Sequence, residues 1–385
     1  MSNYFTDYCA LLGSHEQIIH CQQADSLSDL LMRIKQLWNC PQLDDEKLLG
    51  EINRLNQMPV DDTVVLAGNW LPHRYQPKRK QVHWLIPVGH ATEPFQDEYI
   101  SRCCQKLFNQ IIQPRTSLEA VHRQATKVAD VQPAGFIFHL SRCGSTLLSG
   151  CLSELDFTCV FSESPLLTEL LLDKQLSTEE LKTSLRAFID LQAAAFPDRP
   201  QMIIKWNAWD IFQWELIREL YPKVPVIFLV RNPVEILASH QKMPGRHMAG
   251  DLSLAHLHPF FLSSTDMPVV AGRITVLQAL LEAFLFHQHQ GLMLDYSHLT
   301  AATIAELLMR WRLVSDNTAN ASESPWCKRM AFNSKVPKQV FMEDILEKQS
   351  AFSKENVLLI EQELSEIYQQ VFAACFMNTG KVHHA

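Results

Sequence analysis

A chain of 385 residues, 47% hydrophobic and 20% charged, carries enough apolar material for one large α/β domain and a smaller companion, which excludes a disordered polymer. Its net charge of −8 argues against nucleic acid, polyanions or an anionic membrane surface as the principal partner. Ten cysteines with no Cys-x-x-Cys pair predict reduced thiols in a cytoplasmic protein.

The opening Met1–Asp7 has no basic leader followed by an apolar run, so no signal peptide is predicted. Residues 1–125 form an α+β N-terminal region whose role the sequence does not disclose. Within it, Ser26 to Trp38 and Asp45 to Asn56 read as helices and Gln81 to Pro87 as a strand. The basic turn Pro77-Lys-Arg-Lys80 reads as a solvated loop and the adjacent Cys103-Cys104 as helix packing. Lys127 to Pro133 reads as a linker into a second domain over 134–385.

From Gly135 onward, short apolar runs alternate with amphipathic segments. Gly135–Leu140, Thr158–Ser162, Met202–Lys205, Val224–Val230 and Leu292–Asp295 are the expected strands. Ser145–Leu155, Glu179–Phe196, Trp209–Tyr221, Val234–Lys242 and Arg273–Gln288 are the expected helices. Ser177-Thr-Glu-Glu180 spells a capping box, and Asn232-Pro233 an N-cap followed by proline in the first turn. Such alternation predicts an α/β domain, a parallel sheet flanked by helices, with its ligand beyond the carboxyl ends of the strands. The stretch Ile274 to Phe286, interrupted by Gln278 and Glu282, reads as too short to span a bilayer.

One stretch carries most of the chemistry: Phe136-Ile-Phe-His-Leu-Ser-Arg-Cys-Gly-Ser-Thr-Leu147. A buried strand, a tight loop at Gly144 and a helix starting near Ser145 give a cradle of backbone N–H groups for an anion. Ser145 and Thr146 add hydroxyls, and Arg142 adds a charged fork for phosphate oxygens. The nucleoside-triphosphatase signature GxxxxGK[ST] is missing, and Ser149 stands where a phosphatase loop would need its arginine six residues after Cys143. Cys143 sits where a thiol pKa can fall, yet no general base accompanies it. A second stretch, Val226-Ile-Phe-Leu-Val-Arg-Asn-Pro-Val-Glu-Ile-Leu-Ala-Ser239, delivers Arg231 at a strand end, with Ser239 two helical turns on. Arg231 and Ser239 can grip one phosphate together.

These two stretches resemble the motifs of the sulfotransferase superfamily, whose members use 3′-phosphoadenosine 5′-phosphosulfate (PAPS) on a P-loop-like fold. The resemblance covers about Gln81 to Leu299. It is most similar to a bacterial sulfotransferase-like group of uncertain substrate, which carries a segment like Thr92-Glu-Pro-Phe95 upstream. It implies that Arg142, Cys143, Gly144, Ser145 and Thr146 contact the 5′-phosphosulfate, while Arg231, Asn232, Pro233 and Ser239 hold the 3′-phosphate. It also implies that Lys205, ending Met202-Ile-Ile-Lys205, reaches the transferring group, and that Tyr296 lines the nucleotide site. Many cytosolic members place a catalytic histidine two residues after that lysine; Asn207 occupies the position here. Glu163, after the second strand, matches the base of other branches.

The expected function is transfer of a sulfuryl group from PAPS to a hydroxyl or amine of a small-molecule or peptide acceptor, with Glu163, Lys205 and Arg142 as the catalytic set. Nucleic acid, membrane and metal are not expected partners. His139 reads as a core histidine. The pairs His256/His258 and His287/His289 do not read as metal sites, because i, i+2 spacing splits the rings between helix faces. Two alternatives stay open: a phosphoryl-transferring kinase-like enzyme on the same scaffold, and a nucleotide-binding protein without turnover. Neither the acceptor nor the oligomeric state has a sequence signature.

Overall fold

Helices α1 (Phe5–Gly13), α2 (His15–Gln22), α3 (Leu27–Leu37) and α4 (Asp45–Asn56) open the chain, each ended or started by local capping chemistry. Ser14, Ser26 and Asp44 cap α2, α3 and α4 through side-chain oxygens that accept a first-turn N–H. The computed structural model describes residues 4–61, 64–259, 261, 267–314, 324–332 and 352–377. Strands β1 (Pro59–Val60), β2 (Leu71–Gln76) and β3 (Gln81–Leu85) follow, then α5 (Gln96–Cys104), α6 (Leu107–Ile111), β4 (Arg115–Ser117) and α7 (Leu118–Ala125). The order onward is β5 (Gly135–His139), α8 (Ser145–Ser153), β6 (Thr158–Ser162), α9 (Pro165–Leu171), α10 (Thr178–Ala194), β7 (Gln201–Lys205), α11 (Trp214–Leu220), β8 (Val226–Val230) and α12 (Pro233–Lys242). It ends with α13 (Val269–Phe286), β9 (Leu292–Asp295), α14 (Ala301–Arg310), α15 (Pro325–Arg329) and α16 (Lys354–Met377).

Two compact units emerge: residues 1–131 with 164–200, and residues 132–163 with 201–385. The sequence places the boundary once, between 125 and 134. The structure instead groups α9 and α10, which connect β6 to β7 along the chain, with the N-terminal residues. The reason is packing and polar ties: Tyr75 donates to Asp173 (2.7 Å), and the Val131 amide donates to Asp190 (2.8 Å). Helix α10 also packs on α7, and α9 on β2. The capping box at Ser177 and Glu180 is present and starts α10.

In the first unit the sheet order is β1-β4-β3-β2, parallel at β1/β4 and antiparallel at β4/β3 and β3/β2. Its core holds Tyr8, Trp70, Tyr75 and Trp84, all buried. The polar tips find partners: Tyr8 donates to Asn56 (2.7 Å), Trp70 to the Leu12 carbonyl (3.0 Å) and Trp84 to Thr116 (2.9 Å).

In the second unit all five expected runs are strands, and they form one parallel sheet of order β6-β7-β5-β8-β9 flanked by helices. Side chains of the central strand alternate between two apolar layers, as pleating requires. Ile137 joins Leu148, Ile203, Ile227, Leu308 and Trp311 in one layer. Phe136 and Phe138 enter the other, where Trp206, Trp214, Tyr221 and Phe228 pack ring on ring at 5.3–6.1 Å. Each such buried side chain contributes about 1.5–3 kcal/mol relative to exposure. Gly135 opens β5 because Trp311 lies on its backbone: a Cβ there would meet the indole ring at 2.2 Å.

Helix α13 corrects one expectation. It starts at Val269, not near Ile274, and its 18 residues are long and apolar enough to cross a membrane by length and composition. The helix exceeds the apolar run Ile274–Phe286 because Val269-Val-Ala-Gly272 and Arg273 belong to it as well. Here α13 packs on α12, α16 and the 3-10 turn Ala208–Gln213, burying Ile274, Leu277, Leu280, Leu281 and Phe284. All ten cysteines are free thiols.

Candidate functional site

The carboxyl ends of β5, β6, β7 and β8 bring together nearly every residue singled out in the sequence. At the end of β5 the loop turns through a chain of left-handed residues: Ser141 (φ 67°), Arg142 (φ 54°) and Gly144 (φ 83°). Positive φ at non-glycine residues is strained and concentrates at functional sites. Three of the six such residues among those described, Ser141, Arg142 and Glu163 (φ 53°), lie here. Helix α8 then begins with Gly144 at the N-cap and no side chain capping its first amides. A helix N-terminus with uncapped amides beside a left-handed loop is suited to an anion.

Gly144 is required twice over. Its φ lies in the left-handed region, and a Cβ would meet Leu299 at 2.7 Å and the Tyr296 ring at 2.8 Å. Gly144→Ala is therefore expected to destabilise the protein by about 1–3 kcal/mol and to push Tyr296 from the loop. Denaturant unfolding checks the first effect and anion binding the second; an alanine variant with unchanged midpoint would contradict this account of the turn.

Lys205 ends β7, fully buried. Its Nζ lies 3.0 Å from Glu163 Oε1 and 3.3 Å from Thr146 Oγ1, bridging two strand ends and the helix start. Glu163 directly follows β6; its amide still donates to the Lys205 carbonyl (2.8 Å), which fixes the carboxylate beside the ammonium. Burial opposes ionisation of Glu163, but Lys205 and His139 outweigh it and hold the carboxyl well below the usual carboxylate range. A carboxylate so stabilised is a weak base while Lys205 faces it.

His139 is buried in β5, as expected of a core residue, but its role is more specific. Its Nδ1 accepts the Ser141 amide (2.9 Å), so the ring proton resides on Nε2, which faces Glu163 Oε1 at 3.4 Å. Burial pushes its pKa down, leaving a neutral imidazole that orients both the strained loop and the carboxylate. Cys143 is fully buried and burial pushes its thiol up to about 12. A thiolate nucleophile at Cys143 is thereby disfavoured, whatever the helix terminus offers.

Arg231, at the end of β8, closes the site from the other side. It grips Glu235 one turn into α12 (Nε–Oε2 2.6 Å, Nη2–Oε2 2.5 Å) and lies 4.1 Å over the Tyr296 ring. Its Nη1 donates to the Arg142 carbonyl (3.2 Å), tying the two sequence motifs to one loop. Ser239 stands four residues after Glu235 on α12, half-buried, on the same helical face. Asn232 caps α12 by accepting the Val234 amide (2.9 Å). Arg142 itself donates to the Met243 carbonyl (2.6 Å), at the end of α12.

Asn207, in the position where a catalytic histidine is familiar, has a structural role. Its amide and side-chain N–H both donate to Asp210 Oδ2 (2.7 and 2.9 Å) and cap the turn Ala208–Gln213. Burial pushes Asp210 up to about 7 despite these bonds. A carboxyl near 3.8 when unfolded and about 7 when folded binds its proton more tightly in the fold. The stability it supplies is present below about pH 4 and lost as pH rises through 7. Asp210→Asn is expected to flatten that decline, gaining up to about 4 kcal/mol over the parent at pH 8. Melting temperatures of both proteins from pH 4 to 8 check this; parallel curves would contradict it.

Several participants were not anticipated from the sequence. Glu235 had a readable signal, since it lies i+4 from Arg231. Tyr368, from α16, donates to Asp295 at the end of β9 (2.8 Å); only tertiary packing reveals it. His240 and His247, buried beside the loop, had no periodicity to mark them. The singled-out His258 and His287 stack on Phe212 and Trp214, each at 4.7 Å. Among the described residues no group of three or more His, Cys, Asp or Glu is placed to hold a metal ion. In comparison with known proteins, no family model matches the chain and no curated protein matches it significantly.

Proposed function

We propose that the second unit is a PAPS-dependent sulfotransferase domain. The observation that carries the reading is the convergence of two motifs 89 residues apart: Arg231 bonds the Arg142 carbonyl, while Lys205 reaches Thr146 on the helix that follows the same loop. The fit to a doubly phosphorylated nucleotide is supported by the uncapped amides of α8 and by a buried lysine and arginine at the ends of β7 and β8, the two strands that flank β5. The donor supplies an electrophilic sulfuryl group.

In this reading the loop amides with Arg142, Ser145 and Thr146 hold the 5′ end. Arg231 and Ser239 hold the 3′-phosphate, and Tyr296 flanks the nucleotide through its contacts with Arg231 and Gly144. Lys205 neutralises charge on the leaving phosphate oxygen. Its departure from Glu163 toward an anion removes the counter-charge that holds the carboxyl down. Burial then dominates, the proton affinity of Glu163 rises, and it takes the acceptor's proton. His139 keeps that carboxylate oriented.

One observation favours a reading without turnover: Glu163 is ion-paired and a weak base as it stands. Donor consumption separates the two. Acceptor-dependent release of 3′-phosphoadenosine 5′-phosphate, in the presence of a chelator, is expected of the enzyme. Tight donor binding with no release across hydroxyl and amine acceptors would leave a binding protein. Metal-dependent phosphoryl transfer from ATP would replace both with a kinase-like enzyme.

A further inference from the structure

The first unit holds a charge pattern that the proposed function leaves unused. Its sheet buries one face, where Tyr75, Val82, Trp84 and Thr116 point into the core. Pleating sends the residues between them to the other face. There His83 stands opposite Arg115 of β4 on one side and Arg74 of β2 on the other. A bulge between Pro72 and Arg74 inserts His73, whose ring meets the His83 ring edge-on at 6.3 Å. Bulges re-aim side chains and are over-represented next to active sites; this one sets His73 and Arg74 together against His83. The turn Pro77–Lys80, which joins β2 to β3, adds Arg79, within electrostatic reach of both His83 and Arg115.

Three cations share this face without a counter-charge. Among the described residues, the guanidiniums of Arg74, Arg79 and Arg115 make no ion pair and no hydrogen bond. Nδ1 of His73 and Nε2 of His83 likewise have no hydrogen-bond partner. Like charges on neighbouring strands repel, and a half-buried guanidinium with no acceptor is costly. Burial, and then the neighbouring Arg79, hold Arg115 below the ordinary arginine value. The arrangement therefore works against the fold until an anion completes it. Burial, and then the surrounding charges, push His73 down to about 3 and His83 to about 4. Each neutral ring adds an N–H donor without adding charge. The face is open to solvent: Arg74 and Arg79 are exposed, and His73, His83 and Arg115 are half-buried.

We propose that this outer face binds the phosphate group of a small molecule, a monoester or a diphosphate, between Arg74, Arg79 and Arg115, with His73 and His83 as neutral donors. Guanidinium forks match tetrahedral oxyanions through paired N–H donors. Three positive charges attract a group carrying two or three negative ones more strongly than a lone carboxylate. Three strands about 4.8 Å apart span roughly 10 Å, room for one or two phosphates rather than a polymer backbone. The chain's net charge of −8 also disfavours a polyanion or an anionic membrane, which a broad positive surface would attract. Two imidazoles alone would suggest a metal cation, but the arginines around them repel one. The site lies wholly within the first unit and does not rest on the sulfotransferase reading.

The test titrates inorganic pyrophosphate and glucose 6-phosphate into the full chain labelled with 15N-histidine, with His73→Asn and His83→Gln identifying the two signals. Both probes are expected to shift the His73 and His83 ring-nitrogen resonances saturably, while acetate does not. Affinity is read from those resonances, so binding at the anion loop of the second unit does not register. Arg115→Met is expected to weaken pyrophosphate binding about tenfold or more. Because it removes an unpaired charge, it should melt no lower than the parent in anion-free buffer. Arg79→Met, at an exposed position, should weaken binding about threefold and leave the core untouched. The proposal is overturned if neither probe moves the imidazole resonances, if acetate moves them equally, or if both arginine variants keep parental affinity. A lower melting temperature for Arg115→Met in anion-free buffer would make that arginine structural and overturn it as well. So would tighter binding of an oligothymidylate or of phosphatidic acid vesicles than of the small esters, which would make the face a polyanion or membrane surface.

Discussion

Lys205→Met is expected to lose both stability and donor binding, and Lys205→Met with Glu163→Gln to regain only the stability. Lys205 is fully buried, 3.0 Å from a carboxylate whose side chain is 26% exposed. Removing one partner of a buried pair leaves the other charge uncompensated, at about 3–5 kcal/mol; the exposure of Glu163 puts the expected loss at the lower end. The methionine fills the stem's volume, so cavity formation contributes little. Glutamine at 163 then removes the orphaned charge. Donor binding follows a different rule, because a charge-assisted hydrogen bond is worth about 1.5–3 kcal/mol, or roughly 10- to 150-fold in affinity. Denaturant midpoints and calorimetric affinities on the two variants separate the effects. A single variant as stable as the parent would contradict the ion pair, and a double variant with parental affinity would contradict the role of Lys205.

The second large effect is expected at Arg231. Alanine there removes the pairing to Glu235, the stacking on Tyr296 and the tie to the Arg142 carbonyl at once. The carboxylate of Glu235, 12% exposed, is left without its cation, and a stability loss of about 2–4 kcal/mol follows. Bisphosphate affinity should fall roughly 100-fold, the loss expected for the proposed charge-assisted contact with the 3′-phosphate. Lysine keeps the charge but not the planar fork that engages Glu235, the ring and the carbonyl together. Arg231→Lys should therefore bind about tenfold more weakly than the parent. The same calorimetric titration measures both. Full affinity in the alanine variant would remove Arg231 from the nucleotide site.

The sheet of the second unit was legible because buried parallel strands are nearly continuous apolar runs. Phe136 to Phe138 and Val226 to Val230 show this directly. The first unit was less so: Leu71-Pro-His-Arg-Tyr-Gln76 is too polar to announce β2, and β4 is three residues long. The grouping of α9 and α10 with the N-terminal residues depends on contacts such as Tyr75 to Asp173, which no local pattern encodes. At the site, the positions of Gly144, Lys205 and Arg231 followed from strand ends and loop chemistry. Their partners did not. The sequence marks Glu163 as a candidate base, and the geometry adds the lysine that suppresses its basicity. Asn207 looked like a missing catalytic group and proves to be a cap for Asp210. His240 and His247 come from a helix end and a loop, where side-chain direction is set by tertiary packing alone.

The most direct measurement is calorimetric titration of 3′-phosphoadenosine 5′-phosphate into the folded protein, beside ATP with Mg²⁺. The account predicts micromolar binding of the bisphosphate, about 8 kcal/mol, and little heat from ATP, because the proposed partner of Arg231 and Ser239 is a 3′-phosphate that ATP lacks. A folded protein that leaves the bisphosphate unbound, or prefers ATP with Mg²⁺, would contradict it.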